Sequence, residues 1–394
     1  MKKILKSTVT TAGLAVFSML FGAANLIYPV KVGIDSGDQF IWGMLGFLLT
    51  TTILPVLGLV SIILFNGDYN AFFNRLGRIP GIGMVGFCMG VIGPFIAMPR
   101  IVTLSFSMLY PFLPEQTTLL AYSVAFCGIT FLATYRENKI INLLGNLISP
   151  ALLLSLGVIL IKGMLEPQPF IPSTETGWNV FTNQAVLGYA NLDLLGGIFF
   201  GSIVLMLLKK TIKNHADYNL KTLALTGMKA GFVGATLLGI VYIGMALLGA
   251  FYGTSLVDAN PAELFSIISF KVLGRNGALV IATAVAMACF STIIALATVL
   301  AEYIHHEFSN SKISYPSALI GVLGLTTFIS CYGLSNILLY SSPIINTFHP
   351  VIIVLTFLNI AYKTIGFKPV KLPVLLTLIL AVYLNYPAYS VYCL

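Results

Sequence analysis

Charged side chains are scarce in this chain of 394 residues, since Asp, Glu, Lys and Arg together make up only 9 % of it. A soluble domain carries about a quarter of its residues as charged side chains, so a surface that faces water is excluded. Hydrophobic residues make up 58 % and recur in apolar runs of about 18 residues or more, long enough to cross a bilayer. The runs are continuous rather than alternating, which predicts an all-α polytopic membrane protein and not a β-barrel.

Acidic residues and histidines are also few, with 13 of the former and four of the latter. They are too few to assemble a hydrolytic or redox centre inside the apolar runs, and no P-loop, H-E-x-x-H or G-x-S-x-G motif stands at a usable position. The five cysteines lack C-x-x-C spacing and are interpreted as packing residues. We therefore expect no enzyme, no disulfide, and no cofactor or metal site beyond a coupling ion.

Eleven apolar runs predict one membrane domain over residues 1–394, with spans at 9–29, 40–64, 81–110, 117–134, 140–163, 187–208, 223–251, 277–300, 314–332, 334–362 and 372–390. Most basic residues fall in alternate connections, which places the N-terminus in the cytoplasm by the positive-inside rule. The net charge of +8 is thereby explained without a nucleic-acid partner. A cleaved signal peptide fits less well, because cleavage near Gly22 would cut through an apolar run.

The basic residues also decide how the last part of the chain is divided into spans. The run 334–362 is interpreted as one kinked helix, because a break at His349 would move Lys363 and Lys368 to the outside. The C-terminus then lies outside. The segment 261–270 is expected as a short helix along the outer surface.

The first predicted span is interrupted by small residues and an amide at Gly22, Ala23, Ala24 and Asn25, followed by Pro29. An unwound helix frees carbonyls that coordinate a cation, and it leaves a half-helix N-terminus that attracts a carboxylate. Small residues equally permit close helix packing. Taken alone, this stretch leaves both interpretations open.

The sixth predicted span carries a similar interruption at Gly188, Tyr189, Ala190, Asn191 and Asp193. An intramembrane carboxylate normally has a partner, so Asp193 can hold a cation, relay a proton or accept hydrogen bonds from the broken backbone. Interrupted helices at the first and sixth positions indicate an inverted repeat with a binding site at the membrane midplane. The pair predicts a solute transporter.

The eighth predicted span places adjacent hydroxyls at Ser291 and Thr292, one turn after Ala288. Hydroxyl and carbonyl oxygens are hard ligands that suit Na⁺. Serine and threonine in membrane helices also commonly bond back to the carbonyl one turn earlier, which is the ordinary structural interpretation.

Arg100 follows two prolines in the third span and must find carbonyls, a carboxylate or water there. It can line an outward vestibule, pair with Asp193, or cap the backbone freed by Pro99. We expect a structural or gating role.

These motifs together resemble the bacterial branched-chain amino acid:cation symporters, the LIVCS or BrnQ-type family. The matching stretches are Phe17 to Pro29, Ile92 to Arg100 with Ser105 and Phe106, Gly188 to Asp193, and Ala301 to Tyr303. The family is similar to the amino acid/polyamine/organocation group. The resemblance implies a LeuT-like 5+5 inverted repeat with broken helices 1 and 6, here residues 9–163 and 187–362, followed by an additional helix at 372–390.

The resemblance also implies Na⁺-driven uptake of leucine, isoleucine and valine across the bacterial cytoplasmic membrane. The ion would be bound by carbonyls of Ser18, Phe21 and Ala288 with the hydroxyls of Ser291 and Thr292. The substrate would meet the backbone of the two breaks, at Gly22, Ala23, Ala24 and Asn25 and at Gly188, Tyr189 and Asn191. No obligate protein partner is expected.

The chain departs from the family pattern at Asn191, where the family has threonine, and at Ser107, where it has glutamate. It also has eleven predicted spans where family members usually have twelve. A symporter for another amino acid, or one driven by protons with Asp193 as the relay, is the alternative function. A membrane channel or sensor is the rival from another class.

Overall fold

The computed structural model describes residues 2–22, 24–135, 153–165, 167, 169–212, 220–253, 256, 263–309 and 311–391. Within these ranges the regular structure is helical and no β-strand occurs. The α-helices are α1 (Lys2–Leu20), α2 (Ala24–Ser36), α3 (Phe40–Leu48), α4 (Leu54–Leu64), α5 (Tyr69–Phe73), α6 (Arg78–Ile92), α7 (Ala97–Leu109), α8 (Leu119–Thr134), α9 (Leu153–Gly163), α10 (Gly177–Leu187), α11 (Asp193–Ile212), α12 (Leu220–Tyr252), α13 (Leu264–Glu302), α14 (Tyr315–Ser330), α15 (Leu334–Ile365) and α16 (Lys371–Val391).

Each predicted span contains apolar helix in the described part of the chain. There, five helical segments are individually long and apolar enough to cross a membrane: Asn25–Leu64, Arg78–Phe112, Thr222–Tyr252, Leu264–His306 and Leu334–Ile365. The pair α10 and α11 forms a further, bent span, and shorter apolar helices occupy the other predicted positions. Residues 140–152 of the fifth predicted span lie outside the described residues. The helices therefore agree with a multi-pass membrane protein.

The sixth span begins earlier than predicted, at Gly177 rather than at residue 187. The side chain of Thr176 caps α10 by accepting a hydrogen bond from the backbone N–H of Asn179. This helix carries the polar residues Asn183 and Gln184, which lower its hydropathy. Its axis meets that of α11 at 42°. The break at 188–192 consequently lies in the middle of a bent span and not at its start.

Two predictions about helix continuity can be compared with α13 and α15. A helix is present from Leu264 onward where a surface helix was expected at 261–270, and Gly274, with φ 69°, separates it from the rest of α13. Its position along the outer surface stays a prediction. Glycine adopts that backbone conformation without a steric penalty. Residues 261 and 262 lie outside the described residues. The prediction of one long helix at 334–362 is confirmed, because α15 continues through Pro343 and Pro350.

The core forms where the two halves of the first span pack against α12, and where α4 packs against α11. Backbone contact between α2 and α12 is close: a Cβ added at Gly33 would lie 1.8 Å from the Ala246 carbonyl oxygen. Tyr242, in the middle of α12, is completely buried. This packing holds the first break beside the second.

Candidate functional site

The first helix is broken where the sequence predicted it. Phe21 and Gly22 separate α1 from α2 and have no helical structure, although the Phe21 N–H still donates to the Phe17 carbonyl at 2.8 Å. Asn25 opens α2 and is buried. Ala23 lies outside the described residues, as does the side chain of Ala24. The small residues at this position therefore coincide with an interrupted helix and not with continuous packing.

The sixth span is interrupted by a short 3₁₀ turn, Gly188–Asn191, and by Leu192, which has φ 62° and ψ 16°. A leucine in the left-handed region is uncommon, and such backbone strain often accompanies functional sites. The chain resumes as α11 at Asp193. The Asp193 carboxylate thus lies at a helix N-terminus, where a negative charge is stabilised.

Residues of both breaks line one cavity, which is partly open to solvent. Six of the residues singled out from the sequence line it: Gly22, Asn25, Arg100, Asn191, Asp193 and Thr292. The other walls are mostly apolar, formed by Met19, Leu20, Ile92, Ala97, Ile101, Leu192, Gly196, Phe200 and Leu296. A polar end and an apolar side suit a small amphipathic solute.

A buried hydrogen-bond chain joins the two breaks through Tyr242. Asn25 donates from Nδ2 to the Tyr242 hydroxyl at 2.5 Å and to the Leu20 carbonyl at 3.0 Å. Tyr242 in turn donates to Asp193 Oδ2 at 3.0 Å, and Asn191 Nδ2 donates to the same oxygen at 3.3 Å. The network fixes the carboxylate against both halves of the site.

Arg100 stabilises the second break and does not pair with Asp193. Its guanidinium donates from Nη1 to the Ala190 carbonyl at 2.8 Å and from Nη2 to the Ser341 hydroxyl at 2.5 Å. The group lies 5.9 Å from the ring centroid of Tyr28, a favourable cation–π distance. Of the open alternatives, Arg100 caps backbone freed by a break, but that break is in the sixth span and not at Pro99.

The residues expected to bind Na⁺ are brought only partly together. Thr292 lines the cavity beside Gly22, where an added Cβ would lie 4.0 Å from the Thr292 methyl carbon. Its hydroxyl donates to the Ala288 carbonyl at 3.0 Å, which is the ordinary back-bond and leaves the oxygen lone pairs available. Ser18, Phe21, Ala288 and Ser291 are not among the lining residues of this cavity. Their role as ligands stays a prediction.

Gly188 and Tyr189 lie in the second break but outside the cavity lining. A Cβ added at Gly188 would lie 2.0 Å from Thr50 Oγ1, so this glycine packs directly against the second span. The Tyr189 ring stacks on His349 with centroids 4.7 Å apart and planes inclined by 16°. Gly188 therefore allows the break to pack closely against the second span, and the Tyr189 ring packs the break against α15.

A family model for the "Branched-chain amino acid transport protein" matches residues 5–391, nearly the whole chain. The chain belongs to this family. Its membership agrees with the resemblance inferred from the interrupted helices, and it accounts for the paired breaks that open onto one cavity.

Curated relatives cover most of the chain. It is 28 % identical over 377 residues to the branched-chain amino acid permease BrnQ of Bacillus subtilis, covering 92 % of this chain and 83 % of that protein. It is 30 % identical over 365 residues to BraB of the same organism, covering 89 % and 80 %. A carrier protein of branched-chain amino acid transport system 3 in Pseudomonas aeruginosa is 27 % identical over 356 residues. These relatives are permeases and carriers, in agreement with the expectation that the chain is not an enzyme.

Solved structures show the fold. An inward-facing conformation of Mhp1 superposes with a TM-score of 0.64 at 15 % identity, covering 98 % of this chain and 90 % of that one. MhsT in complex with L-phenylalanine gives 0.56 at 17 % identity, covering 96 % and 97 %. Both are LeuT-fold transporters, so the LeuT-like fold with broken helices 1 and 6 is confirmed.

Proposed function

We propose that this chain takes up leucine, isoleucine and valine by Na⁺-coupled symport, alternating between outward-open and inward-open states. The observation that carries the proposal is the shared cavity that residues of both helix breaks line, with both polar and apolar side chains in its walls. Midplane sites between discontinuous helices are the hallmark of transporters that rock about a fixed site. The membrane is proposed to be the bacterial cytoplasmic membrane, with the N-terminus inside.

The substrate class follows from the walls of the cavity and from the names of the relatives. Leu20, Ile101 and Phe200 offer apolar surface to an aliphatic side chain. The breaks at Gly22 and Asn191 offer backbone groups to the α-amino and α-carboxylate groups. Because one methylene changes affinity by only about 1 to 3 kcal/mol, all three branched-chain amino acids are expected as substrates.

Na⁺ is proposed to bind between the first break and α13. Thr292 reaches Gly22 across this interface, and its hydroxyl oxygen is a hard ligand. The carbonyls of Ser18, Phe21 and Ala288 with the Ser291 hydroxyl complete the proposed set. A cation here would brace the first span against α13 and favour the state that binds the amino acid.

Proton coupling is the second candidate, because Asp193 is a buried carboxylate in the cavity wall and acidic residues in membranes commonly relay protons. The two candidates differ in the ion gradient that drives uptake. Uptake of labelled leucine into proteoliposomes, measured separately under a Na⁺ gradient and under a pH gradient, distinguishes the two candidates. Leucine uptake driven by the Na⁺ gradient alone supports the proposal, and leucine uptake driven by the pH gradient alone overturns the Na⁺ site. A channel or sensor would give no uphill accumulation under either gradient.

A further inference from the structure

The cavity is lined by one basic and one acidic side chain, both buried, that do not pair with each other. Arg100 is 3 % exposed and Asp193 is 5 % exposed, and both line the cavity. The salt bridge found within the described part of the chain is Lys31–Asp35, so these two side chains form no ion pair there. Unpaired charges inside a membrane are costly and mark places where a charged ligand binds.

Two buried polar atoms near these charges lack a hydrogen-bond partner among the described residues: Arg100 Nε and Asn191 Oδ1. Nε is a donor, and the amide oxygen is an acceptor. Native structures rarely leave such atoms unsatisfied, and a missing ligand is one of the recognised reasons. A donor therefore remains beside the positive charge, and an acceptor remains beside the negative charge.

The fixed geometry of both groups favours recognition. The Ala190 carbonyl and the Ser341 hydroxyl hold the guanidinium by its two terminal nitrogens, while Tyr242 and Asn191 hold one oxygen of Asp193. Groups held in this way lose little freedom when a ligand binds. The cavity therefore presents one pre-positioned cation and one pre-positioned anion to the same solute.

We propose that Arg100 binds the α-carboxylate of the amino acid and that Asp193, with Asn191 Oδ1, binds its α-ammonium group. The dipolar backbone of the substrate thus neutralises both buried charges at once. A ligand with only one charge would leave the other unpaired. This inference rests on the proposed function for the identity of the solute, and it changes the expected role of Arg100 from structural or gating to substrate-binding.

The test uses equilibrium binding of leucine to the purified full-length chain in detergent with Na⁺ present. The competitors are 3-methylbutylamine, which is leucine without the carboxylate, and 4-methylpentanoate, which is leucine without the ammonium group. In the unchanged chain each is expected to bind about ten- to a hundredfold more weakly than leucine, the loss of one charge-assisted hydrogen bond. Equal affinity for leucine and both analogues overturns the proposal.

Variants then assign each charge. Arg100→Gln is expected to weaken leucine binding by the same factor and to leave the affinity for 3-methylbutylamine unchanged. Asp193→Asn is expected to weaken leucine binding and to leave the affinity for 4-methylpentanoate unchanged. Ser202→Ala is the matched control on α11, because its hydroxyl donates to the Phe199 carbonyl of its own helix and Ser202 is not among the residues that line the cavity. Arg100→Lys keeps the charge and provides a milder change should the glutamine variant fold poorly.

A purely structural role predicts a different result, because each variant would then weaken the binding of leucine and of both analogues by one common factor. That outcome overturns this inference and leaves the proposed function standing. Binding of some other α-amino acid in place of leucine, isoleucine and valine overturns the proposed substrate class, and the same comparison is then made with that amino acid and its two analogues. Absence of binding by every α-amino acid overturns both.

Discussion

Tyr242 donates a hydrogen bond to Asp193 across 3.0 Å, although 49 residues separate them in the sequence. The same hydroxyl accepts from Asn25 in the first break. The Tyr242 hydroxyl in α12 therefore forms hydrogen bonds with residues of both interrupted spans. A shift of either break would alter the hydrogen bonding of the other.

Replacing Tyr242 with phenylalanine tests this link. The change leaves Asn25 and Asp193 without a shared partner, which we expect to cost about 1 to 3 kcal/mol and to raise the KM for leucine several-fold. Thermal unfolding and uptake kinetics measure the two effects. Tyr122→Phe is the control, because it removes a comparable hydrogen bond to Ser105 outside the cavity. Equal KM values in the two variants would show that the link does not serve binding.

The Na⁺ site is tested by removing hydroxyls from α13. The double change Ser291→Ala and Thr292→Ala is expected to raise the Na⁺ concentration for half-maximal uptake by about tenfold, or about 1.4 kcal/mol. Thr298→Ala is the matched control, since its hydroxyl bonds back to Ile294 in the way that Thr292 bonds back to Ala288. An unchanged Na⁺ dependence in the double variant would remove both residues from the site.

The close contact between α2 and α12 predicts a steric effect at Gly33. Alanine there would bring Cβ within 1.8 Å of the Ala246 carbonyl oxygen, a backbone atom that cannot move alone. We expect a loss of about 1 to 3 kcal/mol in unfolding free energy. Gly83 in α6 has nothing within 4 Å of an added Cβ, so Gly83→Ala is expected to be neutral or stabilising by about 0.5 to 1 kcal/mol. Similar thermal stability of the Gly33→Ala and Gly83→Ala variants would contradict the close contact between α2 and α12.

The orientation predicts which face of the membrane exposes Cys331. This residue is exposed after α14, whereas Cys88, Cys127 and Cys289 are buried. In a Cys393→Ser background, a membrane-impermeant maleimide should label Cys331 in intact cells, and the additional change Cys331→Ser should abolish labelling. Labelling only after permeabilisation would place the N-terminus outside.

The positions of both breaks could be predicted from the sequence, because glycine and asparagine clustered within an apolar run lower helix stability there. The beginning of the sixth span could not, because Asn183 and Gln184 lower the hydropathy of α10 and its position depends on packing against α3 and α2. Hydropathy is calculated from the residues of one segment and does not include contacts with other helices. A helix that is stabilised by packing against neighbouring protein is therefore not recognised from its own hydropathy.

Tyr242 and the partners of Arg100 could not be predicted either. Tyr242 is one of four aromatic residues in a 33-residue apolar helix, and nothing local distinguishes it from a packing residue. Arg100 required a partner, but the sequence could not select Ala190 and Ser341, which are 90 and 241 residues away. Long-range polar partners depend on the topology that brings helices together and not on the pattern within one helix.

Leucine accumulation in proteoliposomes tests the central claim most directly. With an inward Na⁺ gradient and no pH gradient or membrane potential, internal leucine should rise above the external concentration and fall back when a Na⁺ ionophore dissipates the gradient. Uptake that only equilibrates leucine, or that is the same with and without the Na⁺ gradient, would contradict Na⁺-coupled symport by this chain.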